Sequence, residues 1–374
     1  MKIKDFKLEE YLDNYEFSAP YLLCTSDCES FSVGELLALD KDSEEQLKKL
    51  RLSYTETQGN LILREEISKL YKDTNSNDIL VFSGAEEGIF VFMNVHLDEG
   101  DHIIVQFPAY QSLFEIANSI GCEITNWSVD DQNNWELDID FLKNNIRENT
   151  KAIILNCPHN PTGYLMSNEK LNLIVDIAKN NGIYVFSDEV YRYMEYNESD
   201  RLSAMCDIYE KGLSLGVMSK TFGLPGLRIG WIATKNQTLL KQLKSFKNYT
   251  TICNSALSEF FSIIGLKNKR FLIKRNLEII EQNLKLLDSF FNKYNNLFSW
   301  VRPKAGSIAF PQIKFNRNID EFCLDLLNKK GVLLLSSTNF NYGDKNFRIG
   351  FGKRNMPEAL SKLEEYVQEE LLFD

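Results

Sequence analysis

The sequence predicts an α/β fold: a large domain on a mostly parallel sheet of seven strands, followed by a smaller α+β module. Three observations predict it. Between Ile79 and Arg228, short apolar runs alternate with longer helix-like stretches, the pattern of parallel strands joined by helical crossovers. Turn-forming or chemically active residues follow each run. Beyond Ala233 the pattern changes to long amphipathic stretches and then to a short mixture of strands and helices.

Taken in order, the first candidate strand is Ile79 to Phe82. It is followed by Ser83-Gly84-Ala85-Glu86-Glu87-Gly88, which opens an apolar helix. His102 to Gln106 precedes Phe107-Pro108-Ala109-Tyr110, and Glu123 to Trp127 is the third run. Ala152 to Asn156 leads into Asn160-Pro161-Thr162-Gly163, and Tyr184 to Ser187 into Asp188-Glu189-Val190-Tyr191. Ser214 to Met218 leads into Ser219-Lys220, and Arg228 to Ala233 completes the seven. Leu239 to Phe246 and the stretch from about Ser255 to Tyr294 predict amphipathic helices, the second long enough to link two domains. Trp300 to Asn316 reads as strand and turn, Phe322 to Lys329 as helix, Val332 to Ser336 and Asn346 to Phe351 as strands, and Met356 to Leu372 as a closing helix.

Composition narrows the function. The 374 residues are 44% hydrophobic, enough for one large domain or two. A formal charge of −11 argues against nucleic acid or an anionic membrane as partner and points to small molecules. The seven scattered cysteines fit reduced thiols in a cytoplasmic protein. Cys24 and Cys28 suggest a metal clip, but with only His96, His102 and His159 and no second close cysteine pair, no metal site is expected. Met1 to Phe17 lacks the apolar core of a secretory signal, and no run approaches the ~20 apolar residues of a membrane span.

In open α/β sheets, ligands gather beyond the carboxyl ends of the strands, where Ser83-Gly84-Ala85, Asn156, Asp188 and Lys220 all fall. Lys220 supplies an amine that becomes nucleophilic when burial or nearby positive charge keeps it neutral. Asp188 supplies a carboxylate able to hold a proton on a ring nitrogen. Tyr191 and Asn160 supply hydrogen-bond donors, and Arg228 a fork of donors suited to phosphate. Backbone N–H groups at Gly84, Ala85 and Glu86 open a helix N-terminus, a ready cradle for the same anion. Singly, Lys220 and Arg228 read as solvated charges, Asp188 as a helix cap, Asn160-Pro161 as a turn and Tyr110 as core. Their joint spacing favours one site: Asp188 follows Asn160 by 28 residues, Lys220 follows Asp188 by 32, and Arg228 follows Lys220 by eight. An amine, a carboxylate, a phenol, an amide and a guanidinium in this order suit pyridoxal 5′-phosphate.

These segments, with Ser219-Lys220-Thr221-Phe222-Gly223-Leu224-Pro225-Gly226-Leu227-Arg228 at their centre, resemble those of the fold type I pyridoxal-phosphate enzymes, specifically the class I/II aminotransferases. The resemblance runs from about Tyr54 to Arg348. It implies a large cofactor-binding domain over residues 41–269 and a discontinuous small domain of residues 1–40 and 270–374. It also implies a Schiff base on Lys220, which then serves as general base. Asp188 would stand against the pyridine nitrogen, Tyr110 would stack on the ring, and Tyr191 and Asn160 would meet its phenolate oxygen. Gly84, Ala85, Glu86 and Arg228 would hold the phosphate. Family members commonly carry a hydroxyl three residues before the lysine. Val217 stands there in this chain, and Ser219 offers a substitute.

Asn346-Phe347-Arg348-Ile349-Gly350 resembles the segment whose arginine binds the substrate α-carboxylate, which assigns Arg348, beside Asn160, to substrate. A surface ion pair is the competing reading of Arg348. Tyr54, Gly59 and Arg64 resemble a segment whose tyrosine reaches the phosphate of a neighbouring subunit, implying a homodimer with shared sites. The activity implied is transfer of an amino group between an L-amino acid and a 2-oxo acid. The segments Phe17 to Leu23 and Ser26 to Ser30 lack the Gly-x-Pro common in the family and resemble a subgroup that includes capreomycidine synthase. That likeness implies a lyase or cyclase as the alternative.

Overall fold

The computed structural model describes residues 2–372. Seven strands form the central sheet: β1 (Ile79–Phe82), β2 (His102–Phe107), β3 (Glu123–Ser128), β4 (Thr150–Asn156), β5 (Tyr184–Asp188), β6 (Gly212–Val217) and β7 (Gly230–Ala233). Their spatial order is β1-β7-β6-β5-β4-β2-β3. Only β7 runs against its neighbours, pairing antiparallel with both β1 and β6. Apart from the edge strand β3, the strands are largely buried on both faces, which explains why they read as apolar runs.

The fold is therefore the expected mostly parallel α/β layer, with three local differences. The last strand begins at Gly230, because Arg228 takes a left-handed conformation (φ +51°) that ends the preceding turn. The Ser255 to Tyr294 stretch is two helices, Ala256–Lys267 and Lys269–Lys293, broken at Asn268. The closing helix is α-helical over Met356–Tyr366 and widens to a π-helical turn over Val367–Leu371.

Register sets the level of the chemistry. Asn156 pairs with Asp188 at the carboxyl ends of β4 and β5, and Asp188 with Leu215, two residues before β6 ends. Helix Ala85–His96 packs beneath, burying Ile89, Val91, Phe92 and Met93, with Phe92 stacked 4.6 Å from Phe186 of β5. Burying side chains of this kind contributes roughly 1.5–3 kcal/mol each, which fixes the N-terminus of that helix beside the strand ends. Gly230 permits the close approach: a Cβ there would lie 2.6 Å from the amide nitrogen of Ala85.

The C-terminal module centres on strand Phe347–Gly350, flanked by Ile308–Ala309 and Leu335–Ser336. Strand alternation sends Phe347 and Ile349 into an aromatic core with Phe298 and Phe322 and leaves Arg348 on the opposite face. The N-terminal segment joins this module. Tyr21–Leu22 pairs in parallel with Val332–Leu333, and the Gly350 amide donates to the Leu23 carbonyl at 2.8 Å. A Cβ at Gly350 would collide with the Thr25 carbonyl, so only glycine admits the strap. Among the described residues, no helix is long and apolar enough to cross a membrane.

Candidate active site

A cavity of about 500 Å³ opens at the carboxyl edge of the sheet. Asp188 from β5, and Ser219 and Lys220 just past β6, line it together with Arg228. Ala85 and Glu86 enter from the helix N-terminus, Tyr110 from the loop after β2, Asn160 from the loop after β4, and Tyr191 from the turn after β5. Arg348 closes the side facing the C-terminal module. Ten of the residues expected at the site thus meet in one place. Gly84 caps the helix with φ +91°, and a Cβ there would lie 2.7 Å from Nη2 of Arg228, so the glycine leaves room between the guanidinium and the helix N-terminus. Tyr54 does not reach this cavity; it stands 89% exposed elsewhere on the chain.

The loops are held by polar contacts between them. The Asn156 side chain donates to the Asp188 carbonyl (3.1 Å) and accepts from the Asn160 amide (2.6 Å), locking two strand ends and the Asn-Pro loop together. His159 bridges Thr162 Oγ1 (2.7 Å) and the Pro108 carbonyl (2.8 Å), tying that loop to the one bearing Tyr110. Burial lowers the His159 pKa to about 3, so it serves as a neutral strut. Thr221 donates to the Arg192 carbonyl (2.7 Å), and Asn276 donates to the Thr221 carbonyl (3.0 Å), which fixes the turn carrying Lys220.

Lys220 Nζ donates to Ser26 Oγ at 2.8 Å. Burial lowers the lysine pKa; Asp27 opposes that shift and Arg348 adds to it. Burial raises the Asp188 carboxyl to about 7, against a single amide hydrogen bond from Val190 (3.2 Å) and the charge of Lys220. Glu86 is likewise raised to about 7 by burial while accepting from Ser112 (2.8 Å). The Tyr191 hydroxyl is buried beside Ser26 and makes no well-formed hydrogen bond. Arg348, 3% exposed, donates through Nε to the Cys24 carbonyl (3.1 Å) and through Nη1 to Asn160 Oδ1 (3.2 Å). It is no surface ion pair.

Sequence reasoning missed the opposite wall. Leu8, Glu9, Leu12 and Glu16 of the N-terminal helix Lys7–Tyr15 and the residue after it line the cavity, as do Ser26 and Asp27 of the strap. Glu9 accepts from the Tyr110 hydroxyl at 2.7 Å. The available signal was the spacing of Leu8 with Leu12 and of Glu9 with Glu16, which repeats along one helical face.

Residues 23–363 match the family Aminotransferase class I and II. The chain belongs to that family. Its members depend on pyridoxal 5′-phosphate and act on small amino and keto acids, and this chain is an enzyme of that kind. A solved PLP-dependent aminotransferase from Streptococcus suis shares 32% identity with a TM-score of 0.93, covering 98% of both chains. The PLP-dependent cyclase OrfR superposes with a TM-score of 0.90 at 26% identity, covering 99% of this chain and 98% of that one. Capreomycidine synthase of Streptomyces vinaceus is 25% identical over 92% of this chain and 88% of its own length.

The cavity suits the cofactor. The Tyr191 hydroxyl, beside Ser26 but without a well-formed hydrogen bond, can donate to an acceptor, and the Asp188 carboxyl, short of cationic partners, suits a protonated ring nitrogen. The space at Gly84 between helix N-terminus and Arg228 suits a phosphate.

Proposed function

We propose that the protein is an aminotransferase that moves an amino group between an L-amino acid and a 2-oxo acid. The observation that carries this reading is the meeting of Lys220, Asp188 and Arg348 in one cavity. Pyridoxal phosphate, when bound, supplies an aldehyde and an electron-withdrawing ring. Asp188 and Tyr191 would hold that ring at its nitrogen and phenolate oxygen, with Asn160 alongside Tyr191 and Tyr110 against one face. Gly84, Ala85, Glu86, Ser219 and Arg228 would surround the phosphate.

Arg348 binds the substrate carboxylate. Its buried guanidinium already holds Asn160 Oδ1 and a carbonyl, so its remaining N–H groups are oriented before substrate arrives, and Asn160 shares that contact. Lys220, made less basic by burial, moves the proton at the substrate Cα. Ser26, 2.8 Å from Nζ, orients the amine.

Four further elements belong to this reading. The large domain comprises residues 41–269, and the small domain residues 1–40 with 270–374, a division supported by the pairing of Tyr21–Leu22 with Val332–Leu333. The protein is a homodimer in which Tyr54 completes the cavity of a second copy; exposed Tyr54 and Tyr249, 89% and 87% accessible, support it. Its setting is cytoplasmic, which the seven free cysteines support. No nucleic acid, membrane or metal partner is invoked.

A second reading, a lyase or cyclase, is supported by the likeness to capreomycidine synthase and the cyclase. Product stoichiometry separates the two. A transaminase given an amino donor without acceptor forms one 2-oxo acid per subunit and stops, whereas elimination or cyclisation turns over without acceptor. Continued turnover would overturn the first reading.

A further inference from the structure

The strap segment Cys24 to Cys28 reaches both cations at the reacting end of the cavity. The Cys24 carbonyl accepts from Nε of Arg348 at 3.1 Å, and two residues on, the Ser26 hydroxyl accepts from Nζ of Lys220 at 2.8 Å. Among the described residues, Ser26 Oγ is the one hydrogen-bond partner of that amine. The same hydroxyl stands beside the Tyr191 phenol. The segment is pinned along its length. Ser307 Oγ donates to the Ser26 carbonyl (2.8 Å), and Lys353 Nζ pairs with Asp27 (2.7 Å) and donates to the Cys28 carbonyl (3.0 Å). The Glu29 amide donates to the Gly352 carbonyl at 2.9 Å. A Cβ at Gly352 would lie 2.5 Å from the Asp27 carbonyl oxygen, so this glycine, like Gly350, lets the strap lie close against the C-terminal module.

We propose that Ser26 is a positioning residue for the Cα proton transfer: its hydroxyl holds the free amine of Lys220 at a set distance from Arg348, with the strap as the ruler between base and carboxylate anchor. Unheld, a lysine amine on its flexible stem samples many rotamers, and placing it for reaction costs entropy. A neutral amine that gives one N–H to Ser26 keeps its lone pair free. The Cα–H bond then breaks with its electron pair left on carbon, the proton forms a new N–H bond at Nζ, and Ser26 keeps its own hydrogen. As the amine becomes ammonium the contact becomes charge-assisted, so it strengthens along the reaction and favours the transition state over the ground state. The groups facing Nζ set its basicity: burial lowers it first, Asp27, Glu9 and Asp188 oppose that shift, and Arg348 adds to it. The proposal rests on the family reading of Lys220 and Arg348 and adds the residue that places the base.

The test compares wild type with Ser26→Ala, which removes the acceptor, and Ser26→Thr, which keeps it. Should Ser26→Ala not fold, Ser26→Cys, whose sulfur accepts weakly, takes its place. The first readout is kcat and KM of the holoenzyme with the amino donor it turns over fastest. The second is the titration of Lys220 in the apoprotein, from the pH dependence of its labelling by an amine-reactive reagent and mass spectrometry of the Lys220 peptide. Ser26→Ala should lower kcat about tenfold with KM changed less than about twofold, the scale of one lost hydrogen bond to a charged group. It should also move the Lys220 titration down by about one pH unit, because the acceptor favours the ammonium. Ser26→Thr should recover most of both effects. A strap merely loosened by the substitution would raise KM through Arg348 and leave the titration in place. An unmoved titration, a loss confined to KM, or a wild-type kcat in Ser26→Ala overturns the proposal and leaves the aminotransferase reading standing. A wild-type holoenzyme that turns over no amino acid overturns both.

Discussion

The two walls of the cavity are built in different ways. The sheet wall consists of short loops at the ends of neighbouring strands, positioned by the register of Asn156 against Asp188 and by contacts between loops such as His159 with the Pro108 carbonyl. The opposite wall is a strap and a helix from the N-terminus, held to a strand more than 300 residues away through Gly350 and Leu23. The sheet wall holds Asp188 and Lys220, the groups to which the proposed function gives the chemistry. The strap wall brings Glu9, Glu16, Ser26 and Asp27 to the cavity and touches Lys220 through Ser26 and Arg348 through the Cys24 carbonyl. Substitutions should follow that division: those on the sheet wall should act on turnover directly, and those on the strap wall through the placement of Lys220 and Arg348.

The sharpest break of the comparison is Lys220→Ala, which removes the amine proposed to move the Cα proton and should lower kcat by about 10⁴-fold. Asp188→Asn should cost about 10³-fold in kcat by removing the charge opposite the ring nitrogen. It should also change the pH dependence of apoprotein stability. The folded carboxyl titrates near 7, above its ordinary value near 4, so the native state holds the extra proton between those limits. That contribution is fully present below pH ~4 and is lost as pH rises through ~7. Thermal unfolding followed from pH 4 to 7 should show this decline in wild type and a flatter profile in Asp188→Asn.

Arg348→Gln should raise KM and lower kcat/KM by about 10²-fold, since a charge-assisted contact to the carboxylate is lost and Asn160 loses its donor. Tyr110→Phe is the smallest change. It removes the bond to Glu9, worth about 1 kcal/mol, and should speed hydrogen exchange or proteolysis within residues 7–15 severalfold, with little effect on the exchange of β4 and β5. Equal loosening of both walls would erase the distinction between them.

The same division explains what the sequence discloses. Ile79–Phe82 lies where its apolar run places it, and the loops after β4, β5 and β6 bring Asn160, Asp188 and Lys220 together because strand ends and turns are local matters. The antiparallel sense of β7 is not local. It is set by pairing with both β1 and β6, which glycines admit at close quarters: Gly216 under the Trp231 ring and Gly230 beside Ala85. The contacts of Ser26 with Lys220 and of Cys24 with Arg348 span 194 and 324 residues, and no periodicity within the first 30 residues encodes them. Helix Lys7–Tyr15 offers only the spacing of Leu8 with Leu12 and of Glu9 with Glu16, which shows a face but not the cavity it lines.

The central claim is that Lys220 is the residue joined to the cofactor, and one measurement tests it most directly. Reduction of the holoenzyme with borohydride, followed by digestion and mass spectrometry, should place the pyridoxyl adduct on the peptide containing Lys220. An adduct on another lysine, or none on a protein that binds the cofactor stoichiometrically, would contradict the account.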